Sequence, residues 1–375
     1  MAKISSRTHP NFVSADTKIE WAQRFLADGQ AGDADALFSE VLQKDKNSFM
    51  ALRGRAAVAE YRGQTKRAAK FTQNANEQEI ETHCKAAEKA SDDALYSKAI
   101  TLYEQALSVE PENLDAIWGT AECYAALDER VEAASWYQRY LDIEPGEPEA
   151  LHMLSAMGMT DVPDRASNGY VATLFDRFAP DFDEQLTGEL EYQVPAVLAE
   201  TAKDCFPEAN GGLDVLDLGC GTGLSGVAIK DLAKRIDGVD LSGEMLKLAR
   251  KRRIYKKLTK SDIISYLDDA PRQYDLVLGA DVFIYFGSLD ALFSGITGAL
   301  KPGGFVIFSL EAQPEDQQTA GYELTASGRY SHGRNYVRSV AQTSNLLERS
   351  VNIEQLRTEY GEPVLGDIWV FQKAD

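Results

Sequence analysis

The sequence predicts two parts: an all-α stack of helical repeats, then an α/β domain whose parallel sheet carries helices on both faces. Three observations carry this. Pro111 in Val-Glu-Pro-Glu and Pro145 in Ile-Glu-Pro-Gly sit in matching settings 34 residues apart. Short apolar runs at 213–218, 236–241, 274–278 and 305–310 alternate with helical stretches, the pattern of a parallel sheet. One of those runs, from Val215, enters glycines at 219, 221 and 223 just ahead of a helix beginning near Leu224.

Composition bounds the rest. At ~150 residues per domain, 375 residues make two domains, or three. No stretch nears the ~18 consecutive apolar residues of a membrane span, and residues 1–20 lack the apolar centre of a secretory signal. Cys84, Cys123, Cys205 and Cys220 lie far apart, which excludes a disulfide scaffold or cysteine zinc site and fits a reducing cytoplasm. No His-Glu-x-x-His or similar spacing occurs, so no metal is expected. The net charge is −20. Residues 1–165 hold 18 basic and 28 acidic side chains and the remainder 21 and 31, so each part stands at −10 and repels phosphate backbones. Nucleic acid is therefore not an expected partner.

A unit counted from Leu114 puts small residues at Ala121 and Ala133, aromatics at Tyr124 and Tyr137, and a proline at Pro145. The unit before it, from Ile80, has Ala87, Ala99, Tyr103, Ala106 and Pro111. Small residues suit a helix crossing, where bulk would hold the backbones apart; proline ends the second helix because it lacks the N–H. Looser copies start near Ala15 (Ala22, Phe25, Gly29, Ala34, Phe38) and Phe49 (Ala56, Ala68, Ala75), with an irregular step of 31 to Ile80. Residues 148–157 read as a closing helix. This resembles tetratricopeptide repeats over about 15–158, behind an N-terminal arm at 1–14. Such stacks bind proteins or build dimers through a concave face.

Residues 159–168, with Pro163 and Asn168, read as a linker, and 169–375 as the α/β domain. In such a domain ligands bind at the carboxyl ends of the strands. Val-Leu-Asp-Leu-Gly-Cys-Gly-Thr-Gly, 215–223, lets the backbone turn tightly and approach a ligand that side chains would exclude. Leu224 stands where a dinucleotide fingerprint has its third glycine. Asp240 ends the next strand, where an acid can accept from both ribose hydroxyls.

The spacing resembles motif I of the S-adenosylmethionine-dependent methyltransferases with a Rossmann-like fold. The resemblance extends over about 168–375 through Gly-Val-Asp240-Leu-Ser, Ser261-Asp262-Ile263, Tyr274 to Asp281, and Leu300-Lys-Pro-Gly-Gly304. It is nearest to predicted methyltransferases carrying tetratricopeptide repeats, whose segments look like 169–176, Gly328-Arg-Tyr-Ser-His-Gly333 and Leu356-Arg-Thr-Glu359. It implies S-adenosylmethionine as cofactor, held by Asp217, Gly219, Cys220, Gly221, Gly223, Asp240, Leu241, Met245, Asp262, Ile263 and Asp281. Leu241 and Met245 would wall the adenine, and Asp262 would accept from its amino group. Asp217 would face the ammonium group or hold the glycine loop; Cys220 reads as a small buried filler.

For the acceptor, His332 lies among Arg329, Tyr330, Arg334, Tyr336 and Arg338. It reads equally as a general base or as a cap on a helix near Asn335. Arginines there could fork onto a carboxylate. Arg329, Tyr336 and Tyr285 are the expected acceptor contacts, and the helix bearing Tyr170 and Phe178 would close over the methyl group. The run Arg250 to Arg253 reads as a solvated helix end, and His9, His83 and His152 as surface or packing. Gly279-Ala-Asp-Val-Phe283 stands where adenine and glutamine-amide methyltransferases carry Asn-Pro-Pro-Tyr or Asp-Pro-Pro-Tyr. The expected activity is methyl transfer to a small anionic metabolite; the alternative is a protein methyltransferase or cofactor-sensing module whose repeats bind a partner.

Overall fold

The computed structural model describes residues 13–184, 186, 188, 190–270, 273–313, 321–359 and 362–375. Most of the expected N-terminal arm, His9 included, lies outside them. The chain divides into two compact units, Met1–Ile143 and Glu144–Asp375.

The first unit is helical: α1 (Ala15–Ala27), α2 (Ala31–Lys44), α3 (Phe49–Tyr61), α4 (Thr65–Asp92), α5 (Tyr96–Val109), α6 (Leu114–Ala126) and α7 (Arg130–Ile143). The alanines expected at crossings are there: Ala22, Ala34, Ala87, Ala99, Ala121 and Ala133 are fully buried. Two glycines mark equivalent contacts. A Cβ on Gly119 would stand 2.2 Å from the Tyr103 ring, and one on Gly54 2.2 Å from Phe38, so an aromatic of one helix presses on the bare backbone of the next. The step of 31 has a plain cause. Helix α4 runs unbroken for 28 residues through Ile80, because no glycine or proline interrupts 65–92, so the turn expected before Ile80 is missing.

The second unit opens with α8 (Pro148–Ala156), the helix expected to close the repeats. Then follow α9 (Asn168–Phe178), the single turn α10 (Phe182–Glu184) and α11 (Val194–Cys205). The residues expected as a linker form a strap. Ala166 N donates to Tyr285 O at 2.9 Å, Gly287 N and Ser288 N donate to Asp164 O at 2.8 Å, and the Tyr330 hydroxyl donates to Pro163 O at 2.8 Å.

The strands are β1 (Leu213–Leu218), β2 (Ala233–Asp240), β3 (Lys257–Lys260), β4 (Tyr274–Gly279), β5 (Leu300–Glu311), β6 (Tyr322–Leu324), β7 (Tyr330–His332), β8 (Leu346–Glu359) and β9 (Glu362–Lys373). Between them lie α12 (Leu224–Ile229), α13 (Gly243–Arg252), α14 (Ile263–Asp268), α15 (Asp290–Ala299) and α16 (Arg334–Thr343). The main sheet has seven strands in the order β3-β2-β1-β4-β5-β9-β8. Five are parallel, the four that the apolar runs predict and the short edge strand β3, which no apolar run marks, while β9 and β8 join antiparallel. That hairpin is invisible to the strand–helix alternation because antiparallel neighbours need no crossover helix between them. On one face Leu198 and Ala202 of α11 pack on Val215, Leu276 and Ile307. On the other, Phe293 meets Phe308, which stacks on Phe371.

Candidate functional site

The glycine loop leaves β1 at the carboxyl edge of the sheet. Gly219, Gly221 and Gly223 have φ of 64°, 51° and 95°, a left-handed backbone that disfavours any side chain. They differ in what surrounds them. A Cβ at Gly219 would lie 2.3 Å from Val282, whereas at Gly221 the nearest atom is on Phe182 at 3.9 Å. Gly219 is needed for packing, and Gly221 leaves bare backbone facing open space. Cys220 is buried and its N–H donates to Val239 O at 3.0 Å; its thiol is pushed well above its usual range by burial, the behaviour of a filler.

Asp240 ends β2. Its Oδ2 accepts from Gly221 N at 2.8 Å and its Oδ1 from Ser242 N at 2.8 Å, so one carboxylate ties the loop to the start of α13. Burial raises this carboxyl to about 6, against those backbone bonds. Asp217 is buried deeper and accepts from the Tyr255 hydroxyl at 2.7 Å; burial lifts it to about 7. The geometry thus brings Asp217 to the loop's underside and ties it to Tyr255, a residue the sequence did not single out.

At the next strand end, Asp262 caps α14, accepting from Ser265 N at 3.1 Å, and also pairs with Arg165 of the strap. Ile263 is buried beside it. Leu241 keeps partial exposure, but Met245 is wholly enclosed. The expected wall is corrected to Leu241 alone, because Met245 lies on the inner face of α13.

Helices α9 and α10 lean over this edge. Asp176 accepts from Ser242 Oγ and from Glu244 N, and Asp183 accepts from Thr222 Oγ1 and Arg252. Arg252, from the basic run expected to be solvated, is turned inward onto Thr222 O at 2.6 Å. Tyr170 is buried and stacked on His152 at 4.5 Å, with its ring edge toward Tyr285. Phe178 is 40% exposed, which does not fit the closing role expected of it, while Phe175 and Phe182 meet edge to face with centroids 6.1 Å apart.

Beyond β4, Asp281 adopts φ 49°, strained for a residue with a Cβ. Its N–H donates to Ser309 Oγ at 2.9 Å, that hydroxyl donates back to Oδ1 at 2.6 Å, and Arg357 donates to Oδ2 at 3.3 Å. Arg357 also grips Glu311, which accepts from Arg329 at 3.1 Å. Burial raises the Asp281 carboxyl, with Arg357 opposing. Tyr285 stands beside Arg329, with which it hydrogen-bonds.

Two acceptor expectations are corrected. His332 is 2% exposed; its Nε2 lies 2.8 Å from Phe286 O and 3.1 Å from Gly287 O, and Nδ1 is sealed without a partner. Burial depresses it to about 4, so it is a poor base with no opening to an acceptor. Nor does it cap α16, whose N-cap is Gly333. Tyr336 stacks on His332, and its hydroxyl accepts from Leu289 N at 3.0 Å; it anchors the β6–β7 hairpin. Arg334 forks onto Asp367 and Arg338 onto Glu348, leaving Arg329 as the loop's contribution to the cluster. His152, expected as surface or packing, is packed: its Nε2 lies 2.8 Å from Gly328 O.

Residues 215–304 match the family model described as a methyltransferase domain, and residues 92–157 that of a tetratricopeptide repeat. The chain is 35% identical over 107 residues to a malonyl-[acyl-carrier protein] O-methyltransferase of Priestia megaterium, covering 27% of this chain and 37% of that one. It is 31% identical over 140 residues to a cypemycin N-terminal methyltransferase of Streptomyces, covering 36% and 56%. A solved N-methyltransferase NodS from Bradyrhizobium japonicum, in complex with S-adenosyl-L-homocysteine, aligns at 16% identity and a TM-score of 0.43, covering 55% of this chain and 99% of that one. The chain spans about half or less of the length of these curated relatives.

Proposed function

We propose that this chain, whose methyltransferase domain follows tetratricopeptide repeats, transfers a methyl group from S-adenosylmethionine to a small-molecule acceptor. The observation that carries the reading is Asp240, held on both oxygens by Gly221 N and Ser242 N. That hold aims its remaining lone pairs away from the sheet, as acceptors for a pair of ribose hydroxyls. The residues present fit the cofactor: a Cβ at Gly221 would fill the bare approach to the loop, and Leu241 offers an apolar flank.

When bound, the cofactor supplies a methyl on a sulfonium for in-line displacement, a reaction in which the protein supplies alignment and excludes water. Asp240 and the glycine loop would orient the donor. Asp262 would accept at the adenine, in company with Arg165. Asp176 and Asp183, by gripping Ser242 and Thr222, hold α9 and α10 across the edge and keep water out. Asp217 supports the loop through Tyr255. Isothermal titration of S-adenosylhomocysteine tests the reading; no binding by the intact chain would end it.

A second reading, a protein acceptor delivered by the repeats, is favoured by one observation. An open groove of about 940 Å³ runs between α4 and the α5–α6 turn, edged by Glu77, Glu81, Glu88, Glu110 and Asp115. Its charge suits a basic segment. Under that reading, deleting the repeats removes activity; under the first, residues 144–375 keep it.

A further inference from the structure

One ring accounts for three bare stretches of backbone in the second unit. Gly223 closes the glycine loop, Gly226 lies in α12 and Gly238 in β2. A Cβ added at these positions would meet Tyr255 at 2.9, 2.4 and 3.0 Å respectively. Packed carbon atoms sit about 3.5–4.0 Å apart, so none of the three accepts a side chain while the ring is there. The ring's own place is fixed by backbone. Tyr255 follows the left-handed turn at Arg253, φ 58°, and the N–H of Lys256 donates to Ile236 O of β2 at 2.7 Å. From this seat the Tyr255 hydroxyl donates to Asp217 Oδ2 at 2.7 Å.

That hydrogen bond acts on charge as well as on shape. Burial lifts the Asp217 carboxyl to about 7, and the bond from Tyr255 pulls the other way. Three more titratable groups face Asp217: Asp240 at the end of β2, Cys220 in the loop and Tyr192 ahead of α11. Asp240 raises it further by like charge. Burial pushes the Cys220 thiol and the Tyr192 hydroxyl well above their usual ranges, so both stay neutral near pH 7. Burial and Asp217 do the same to Tyr255, which therefore remains a proton donor. Of these four groups, the Tyr255 hydroxyl is the one that favours the carboxylate.

We propose that Tyr255 is a positioning residue of the cofactor site: its ring seats the glycine loop between α12 and β2, and its hydroxyl keeps Asp217 charged beneath the loop, toward the cofactor's ammonium group. The inference rests on the functional reading above. Without the hydroxyl, Asp217 takes up a proton at higher pH and the underside of the loop turns neutral. The attraction for the ammonium group is then lost, while the loop, still seated on a ring, keeps its shape.

The test is Tyr255→Phe in the full chain, which keeps the ring and removes the hydroxyl. Both chains are titrated with S-adenosylhomocysteine at pH 6.5, 7.5 and 8.5, with circular dichroism to check folding. The unaltered chain should lose at least about threefold in affinity from pH 8.5 to 6.5, because one pKa unit is a factor of ten in proton binding. Tyr255→Phe should bind at least about fivefold more weakly at pH 7.5 and come within about twofold of the unaltered chain at pH 8.5. Normal binding by Tyr255→Phe at pH 7.5 would overturn the proposal. So would a loss of equal size at all three pH values, which is what a merely structural role gives. If the variant fails to fold, the unaltered chain decides: a fall centred near pH 7 supports the proposal and a flat profile overturns it. A flat profile with binding intact sinks this proposal alone; a chain that binds no S-adenosylhomocysteine sinks the functional reading and this with it.

Discussion

Asp240 and Gly221 are joined by a single 2.8 Å hydrogen bond from the glycine N–H to the carboxylate, and through it the end of β2 sets the shape of the loop after β1. A ligand lying on Gly221 is thereby placed within reach of the same carboxylate. Under the proposed function, loop conformation and ligand recognition would both depend on one side chain.

Asp240→Ala should weaken S-adenosylhomocysteine by about 1.5–3 kcal/mol, the worth of bonds to a charged acceptor. Affinity should also fall with acid. The Asp240 carboxyl titrates at about 6, so binding that relies on its ionised form is full above that pH and declines as pH drops through it. Titration calorimetry at pH 7.5 and 5 on both chains measures this; an Asp240→Ala chain with the original affinity and pH slope would remove Asp240 from the site.

Two glycine variants should separate packing from binding. Gly219→Ala meets Val282 at 2.3 Å, so melting should reveal a loss on the order of 1–3 kcal/mol from overpacking. Gly221→Val puts a side chain on a left-handed backbone, a strain of about 1–2 kcal/mol, at a place where an added Cβ meets nothing nearer than 3.9 Å, and should abolish cofactor binding. Normal binding by Gly221→Val would reduce the loop to a turn.

His332 should report on stability rather than on catalysis. Its folded value is about 4 against 6.5 for the free side chain, so the neutral form is favoured in the fold. The stability it contributes is complete above 6.5 and disappears as pH falls toward 4, amounting to about 2 kcal/mol between pH 7 and pH 5. His332→Gln should flatten that part of the urea-denaturation profile. An unchanged acid slope would show that other groups set it.

In the repeats, the ring of Tyr103 fills the space over Gly119. Tyr103→Ala should destabilise a fragment ending at Ile143 by about 3–5 kcal/mol, the range for deleting a buried aromatic. The fragment itself should be strongly helical, since its contacts lie between neighbouring helices. Circular dichroism with thermal melting covers both, and a fragment that is disordered at 25 °C contradicts the second.

The sequence by itself determined what depends on contiguous residues. The glycines at 219, 221 and 223, the acid at the end of β2 and the alanines at helix crossings each act through local backbone geometry, which a short stretch of chain encodes. What only the tertiary structure decided is which distant side chains meet. Arg165 pairs with Asp262 across 97 positions and Arg357 with Glu311 across 46; ion pairs have no sequence period, so nothing local announces them. His332 shows the same limit. A polar neighbourhood of arginines and tyrosines allows a general base or a helix cap, but Arg334 and Arg338 turn to Asp367 and Glu348, and the ring is folded into a dry hairpin. Burial, not residue type, set its basicity, and burial is a property of the assembled fold.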